Sequence, residues 1–223
     1  MLPAYLLFVC LTLSTTLLDG RLPAGEFTWD FLNALGFCGL AALAYLGWDS
    51  ESPAKQPALR LHSNLAIVAA VITGAHVIGF LVWDPTVVEY LKPRAPWYMH
   101  AGTVGLVCVL ILAITSFPTP RKRVYGRFPR FRGWHLGLSI AALGLAVWHV
   151  LGAGFYLHAW YHQLLLGLVA IGLPTLAYVR RRVSKPVPSF ARITATTHAD
   201  RQSVVGLVAA IAVAGLYAGL KNV

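Results

Sequence analysis

Acidic residues are scarce in this chain. Asp and Glu number 8 in 223 residues against 18 Lys and Arg. Charged residues of both signs make up 12%, about half the share of a soluble domain. Cysteine is scarcer, at three. Cys10, Cys38 and Cys108 form no CxxC or CxxCH, which argues against a zinc site, a dithiol redox centre and covalently attached haem, and leaves them as buried packing residues. No GxGxxG follows a strand, and the longest polar stretch, near Arg180–Ser203, is too short to fold a nucleotide-binding domain. What the chain lacks most is polar sequence long enough to make a soluble unit.

Apolar sequence fills the space. Hydrophobic residues make up 57% of the chain, and the mean hydropathy is +0.66. Seven apolar runs stand out: Leu2–Leu18, Phe31–Gly47, His62–Trp83, Tyr98–Phe117, Trp134–Leu157, Ala159–Val179 and Val204–Leu220. Each approaches the length of about 20 residues that a helix needs to cross a bilayer core of about 30 Å. None contains Asp, Glu, Lys or Arg. The expectation is an all-α membrane protein of about seven transmembrane helices, residues 1–223 forming one membrane domain. The first run carries no basic n-region and is followed by no small-x-small cleavage site, so it reads as a retained span rather than a signal peptide. The last, rich in Ala, Gly and Val, reads as an additional helix, either a span or a weakly held peripheral one.

The formal net charge of +10 is read as topology rather than nucleic-acid binding, because Lys and Arg collect in cytoplasmic loops. The stretch PTPRKRVYGRFPRFRGW holds Arg121, Lys122, Arg123, Arg127, Arg130 and Arg132. A second basic loop holds Arg180, Arg181, Arg182, Lys185, Arg192 and Arg201. This pattern predicts a cytoplasmic N-terminus in a plasma membrane of bacterial type, with both basic loops inside. Trp29, Trp48, Trp83, Trp97, Trp134 and Trp160 sit at or near run ends, where an amphipathic ring suits the interface.

The histidines carry the chemistry. An ionisable residue inside a span is costly and marks a functional site by default. His62 and His76 lie 14 residues apart on the third run, and His135 and His149 lie 14 apart on the fifth. At 3.6 residues per turn each pair shares a helix face, its members separated by about 21 Å along the axis. Both runs cross in the same direction, so His62 is level with His135 on the inner side and His76 with His149 on the outer side. Two imidazoles facing each other at each level suit six-coordinate iron in haem b, which needs axial nitrogens and an apolar slot. Between them, the shared face carries Ala66, Ala69 and Thr73 on one run and Ser139, Ala142 and Ala146 on the other. A flat macrocycle can approach a helix only where side chains are short. The same small faces also serve ordinary helix packing, with His hydrogen-bonding between helices.

Other positions are read more loosely. His100, His158 and His162 fall on the outer side, as contacts for propionates or an acceptor, as a metal pair at i, i+4, or as ordinary interfacial residues. Trp160 and Tyr161 would suit an acceptor pocket, and His198 reads as solvated in a polar loop. Arg127, Arg130 and Arg132 are placed to neutralise inner propionates, bind anionic lipid or dock an acidic donor.

RLHSNLAIVAAVITGAHVIGF, followed by a span and then FRGWHLGLSIAALGLAVWHVLG, resembles the ferric reductase-like transmembrane domain, with ALGFCGLAALAYLGW similar to the span before the first ligand helix. That superfamily includes ferric reductases, the membrane part of NADPH oxidases and a haem subunit of methionine sulfoxide reductase. The resemblance covers residues 31–182, within a six-helix haem-binding bundle to which the helix at 204–220 is an addition. It implies bis-His ligation of two haem b groups, His62 with His135 and His76 with His149. It also implies transfer of electrons from a cytoplasmic flavoprotein or quinol to an extracytoplasmic acceptor, the chain serving as the membrane electron-transfer subunit of an oxidoreductase. The full set of four ligands favours the ferric reductase and oxidase side. The family's flavin and NAD(P)H domain has no counterpart in these residues, so electrons are expected from a partner. The alternatives are a quinol-linked cytochrome b subunit of a larger complex, with Asn64 or Tyr98 near a quinone, and a cofactor-free transporter with a His-lined path. The transporter is disfavoured because it needs acids beside the His.

Overall fold

The computed structural model describes residues 2–17, 26–48, 56–183 and 197–222. Among them the secondary structure is helical, without strands. Helix α1 spans Leu2–Leu17, α2 Phe27–Trp48, α3 Gln56–Trp83 and α4 Trp97–Ser116. The short α5 (Pro118–Tyr125) is followed by α6 (Phe128–Ala153), α7 (Trp160–Gly167), α8 (Leu173–Val183) and α9 (Thr197–Lys221). Six segments are long and apolar enough to cross a membrane: α2, His62–Trp83 of α3, α4, α6, the α7–α8 stretch Trp160–Arg180, and Val204–Lys221 of α9. The chain is an integral membrane protein. Helix α1, at 16 residues, is about 24 Å long, shorter than the hydrocarbon layer.

Local chemistry explains the breaks. Gly154 (φ 65) ends α6 in the left-handed conformation, and Gly126 (φ 65) closes α5; glycine adopts positive φ without strain. Helices α7 and α8 join through a π-helical turn, Leu168–Gly172. Pro174 lies just beyond it, has no N–H to give to the carbonyl four residues back, and forces that local rearrangement. A 3-10 turn, Pro85–Leu91, follows α3, capped by Asp84, whose carboxylate accepts from the Thr86 N–H at 3.0 Å.

Helix α2 is the centre of the bundle. Leu32, Ala34, Leu35, Phe37, Cys38, Leu40, Ala41, Ala42, Ala44 and Tyr45 are all buried, so nearly its whole circumference is covered. It packs against α1, α3, α8 and α9. Helix α6 is the opposite case, burying only Ala142 and Val147 and leaving Ile140 and Trp148 exposed. A helix exposing such residues is stable only if lipid covers it. The closest packing pairs are α2 with α3 and α4 with α6.

Two expectations about the spans change. Helix α2 begins before the second apolar run and brings Asp30 into the bundle with no exposure, while α9 extends to Lys221, whose side chain is 2% exposed. The spans therefore do contain buried charge, which sequence runs bounded by charged residues cannot register. Nor is α9 peripheral. It packs on α1, α2 and α3, burying Ala210, Ala214, Tyr217 and Ala218. Its residue Tyr217 shares a 2.9 Å hydrogen bond with Thr16 of α1. His198 lies in its first turn, not in a loop. Lys185 and Arg192 fall outside the described residues.

Helices α4 and α6 meet where Gly152 faces Tyr98, and a Cβ at Gly152 would collide with Cβ and the ring of Tyr98. Those atoms sit close to the α4 backbone and cannot swing aside. Gly152→Ala should therefore destabilise the protein by about 1–3 kcal/mol, read as a lowered Tm in detergent.

Candidate functional site

Helices α3 and α6 carry the two histidine pairs but are not themselves a close-packed pair. Helix α3 rests on α2 and α4, and α6 rests on α4 and, less extensively, α2. The imidazoles reach across the space between. His62 and His135 face each other with ring centres 6.1 Å apart and planes inclined by 54°. His76 and His149 lie within electrostatic reach of one another. All four imidazoles are only partly exposed. Between the levels, Ala69 of α3 is fully buried and Ala142 of α6 is 1% exposed. The structure thus brings His62 of α3 against His135 of α6.

The second pair is held by backbone. His76 Nδ1 lies 2.8 Å from the Leu32 carbonyl oxygen of α2, and His149 Nδ1 lies 3.0 Å from the Tyr98 carbonyl oxygen of α4. A carbonyl can only accept, so each Nδ1 must carry the proton, which leaves each Nε2 with a free lone pair. Each ring also lies against a glycine. A Cβ at Gly36 would come within 2.9 Å of the His76 ring, and one at Gly102 within 2.8 Å of the His149 ring. Both glycines stand four residues after the accepting carbonyl. The α2–α3 and α4–α6 pairs thus seat their histidines by the same device.

In the first pair, His135 lies against rings. Phe131 lies 5.0 Å from His135, with Tyr125 and Phe128 packed on Phe131 at 5.6 and 5.9 Å. The Arg121 guanidinium sits 5.2 Å from the Phe131 ring centre. His135 Nδ1 is buried without a hydrogen-bond partner among the described residues. Arg127 stands at the N-cap of α6, and Arg127, Arg130 and Arg132 are exposed. This is the basic end of the bundle.

His100 packs against Trp97 at 6.0 Å, His158 is exposed, and His162 is buried against Tyr161 at 4.3 Å. Among the described residues no three of His, Cys, Asp and Glu come together as a metal-binding group. Trp160 and Tyr161 are exposed. Tyr98 acts through its carbonyl on His149.

A polar cluster that no single residue announces in the sequence lies at the end opposite the basic one. Tyr156, in the turn after α6, donates to Asp30 Oδ1 at 2.8 Å. Burial and the adjacent Asp30 carboxylate push this phenol well above its ordinary range, so it remains an O–H donor. The only signal in the sequence was an acid one residue ahead of an apolar run. Gly36, Gly102 and the two carbonyls left no signal that separates them from their neighbours.

In chemical terms, two imidazoles bound to one metal from opposite sides, each by a bond of about 2 Å, have ring centres about 6 Å apart once the rings' own radii are added. The His62–His135 spacing fits. The free Nε2 atoms of His76 and His149 fit as well, since a metal-bound His generally donates its other N–H to a carbonyl or carboxylate.

Gly36→Ala should push the His76 ring off the Leu32 carbonyl and leave His149 undisturbed, with Gly102→Ala doing the reverse. ¹⁵N spectra of histidine-labelled protein would show one hydrogen-bonded Nδ1 signal lost in each variant. Loss of both, or of neither, would contradict the paired seating.

Against known families, the model described as ferric reductase like transmembrane component matches residues 31–146. A comparison with curated proteins and one with solved structures found no match.

Proposed function

The chain belongs to the ferric reductase-like transmembrane component family, and from that premise we propose that it is a diheme cytochrome b. It carries electrons through the membrane from a flavoprotein or quinol at the basic end to an acceptor at the other. Membership makes it a membrane electron-transfer component of a kind that generally binds haem; the number of haems and their ligands are our reading. The observation that carries it is the facing of His62 and His135 across the space between α3 and α6, with ring centres 6.1 Å apart.

His62 and His135 would hold one haem at the basic end, and His76 and His149 would hold another at the opposite end. A haem held by these residues would supply one-electron chemistry. The protein's part is to fix the ligands, exclude water and set the local electrostatics. Leu32 and Tyr98 fix the tautomers of His76 and His149. Ala69 and Ala142 keep the facing helix surfaces low enough for a flat ring. Arg127, Arg130 and Arg132 provide cations for propionates or for an acidic donor. By the distribution of Lys and Arg this end is cytoplasmic, so electrons leave outside the cytoplasm.

Protein purified from haem-replete cells should be red, with a Soret band that shifts on dithionite reduction and about two haems per chain by pyridine haemochrome. His76→Ala or His149→Ala should each lose about half of the haem and leave the other half spectrally intact. Colourless protein, or variants that lose all haem or none, would overturn the assignment.

A further inference from the structure

Asp30 and Lys221 are charges buried inside a membrane protein, and the proposed haem ligation uses neither. Burying an ion pair is costly, and its attraction offsets that cost only when geometry and hydrogen bonds are both good. Such a pair favours one arrangement over near alternatives.

The arrangement here joins three elements. From α2, Asp30 accepts at Oδ1 from Tyr156 at 2.8 Å and at Oδ2 from Asn222 Nδ2 at 3.0 Å. Lys221, at the end of α9, places its Nζ 3.6 Å from Asp30 Oδ1 and 3.9 Å from the centre of the Tyr156 ring. That position allows both ionic and cation–π attraction. Asn33 of α2 donates to the Tyr156 oxygen at 3.1 Å. The Tyr156 ring also packs on Phe37 at 5.9 Å, and its neighbour Phe155 packs on Trp29 at 5.8 Å.

The connections to the histidines are short. Asp30 stands two residues before Leu32, whose carbonyl holds His76. Tyr156 stands seven residues after His149 on the chain leaving α6. Each half of the bundle seats its own histidine; the Tyr156–Asp30 bond ties one half to the other at the same end. Asp30, Tyr156, Lys221 and Asn222 all lie outside residues 31–146, the part that the family model matches.

We propose that Tyr156, Asp30 and Lys221 form a positioning clamp that sets the separation and relative ring orientation of His76 and His149, with α9 as its brace. This rests on the diheme reading. The three act through the ligands and touch no reacting atom.

The test is electron paramagnetic resonance and a redox titration of the oxidised, haem-loaded full chain, since the g values of a bis-imidazole ferric haem depend on the angle between its imidazole planes. Tyr156→Phe keeps the ring and removes the one O–H. It should retain both haems and shift the g values and potential of the haem that His76→Ala removes, leaving the other haem's unchanged. Lys221→Met should shift the same haem and Lys221→Arg should restore it. Should Tyr156→Phe fail to fold, Asn222→Ala cuts a single bond of the same network and is expected to act on the same haem. Unchanged values for both haems, or equal shifts in both, would overturn the clamp while leaving the haem reading intact. Wild-type protein without two low-spin signals would overturn the diheme reading itself.

Discussion

An imidazole inside a bilayer has one N–H to satisfy and no water to satisfy it. Any acceptor must come from a neighbouring helix, where each interior carbonyl already receives the N–H four residues on. The carbonyl keeps a second lone pair, but the side chain at that fourth residue leans back toward it, because Cβ atoms in a helix tilt toward the N-terminus. Glycine at that position uncovers the oxygen. Leu32 with Gly36, and Tyr98 with Gly102, meet this condition for His76 and His149. The rest of the arrangement depends on it. The imidazole approaches the opened carbonyl, takes the Nδ1–H tautomer and directs Nε2 elsewhere.

From that constraint the helix packing follows. A histidine on α3 must have α2 close behind it, and one on α6 must have α4 close behind it; these are the two tightest pairs in the bundle. The front faces of α3 and α6 then stay apart, lined by small residues, instead of closing on each other. Helix α2, which holds His76 and also carries Asp30, is the element surrounded on nearly every side. Helix α6 leaves most of its surface to lipid, which membrane insertion permits and water would not.

The spans and the paired histidines were legible in the sequence because both rest on local periodicity. Fourteen residues bring a helix back almost to the same face, whatever it packs against. The seats of the histidines were not legible. A carbonyl has no identity in a sequence, and Gly36 and Gly102 are two among 20 glycines until it is known which helix lies behind which. Asp30 and Lys221 escaped for another reason. An apolar run is ended by its first charge, so a charge buried at a helix end reads as the boundary of the span. Trp29 and Trp48 sat at run ends as interfacial residues do, yet both pack against the central core. Trp83, Trp97, Trp134 and Trp160 are exposed.

The two ends of the bundle differ in whether the histidine Nδ1 has an acceptor. At one, two backbone hydrogen bonds fix the tautomers of His76 and His149, and a buried carboxylate ties the helices that hold them. At the basic end, His135 is flanked by Phe131 and has no hydrogen-bond acceptor for Nδ1 among the described residues. Ring contacts constrain where an imidazole lies more than which nitrogen carries its proton or how far it rotates in its plane. The aromatic group behind His135 includes Phe128, which is exposed, and is covered in part by Arg121. That end is therefore responsive to what binds its surface, while the other is set by the fold. Under the proposed function, such a division suits a conductor that takes electrons from a separate donor at one end and holds the far ligands in a single geometry.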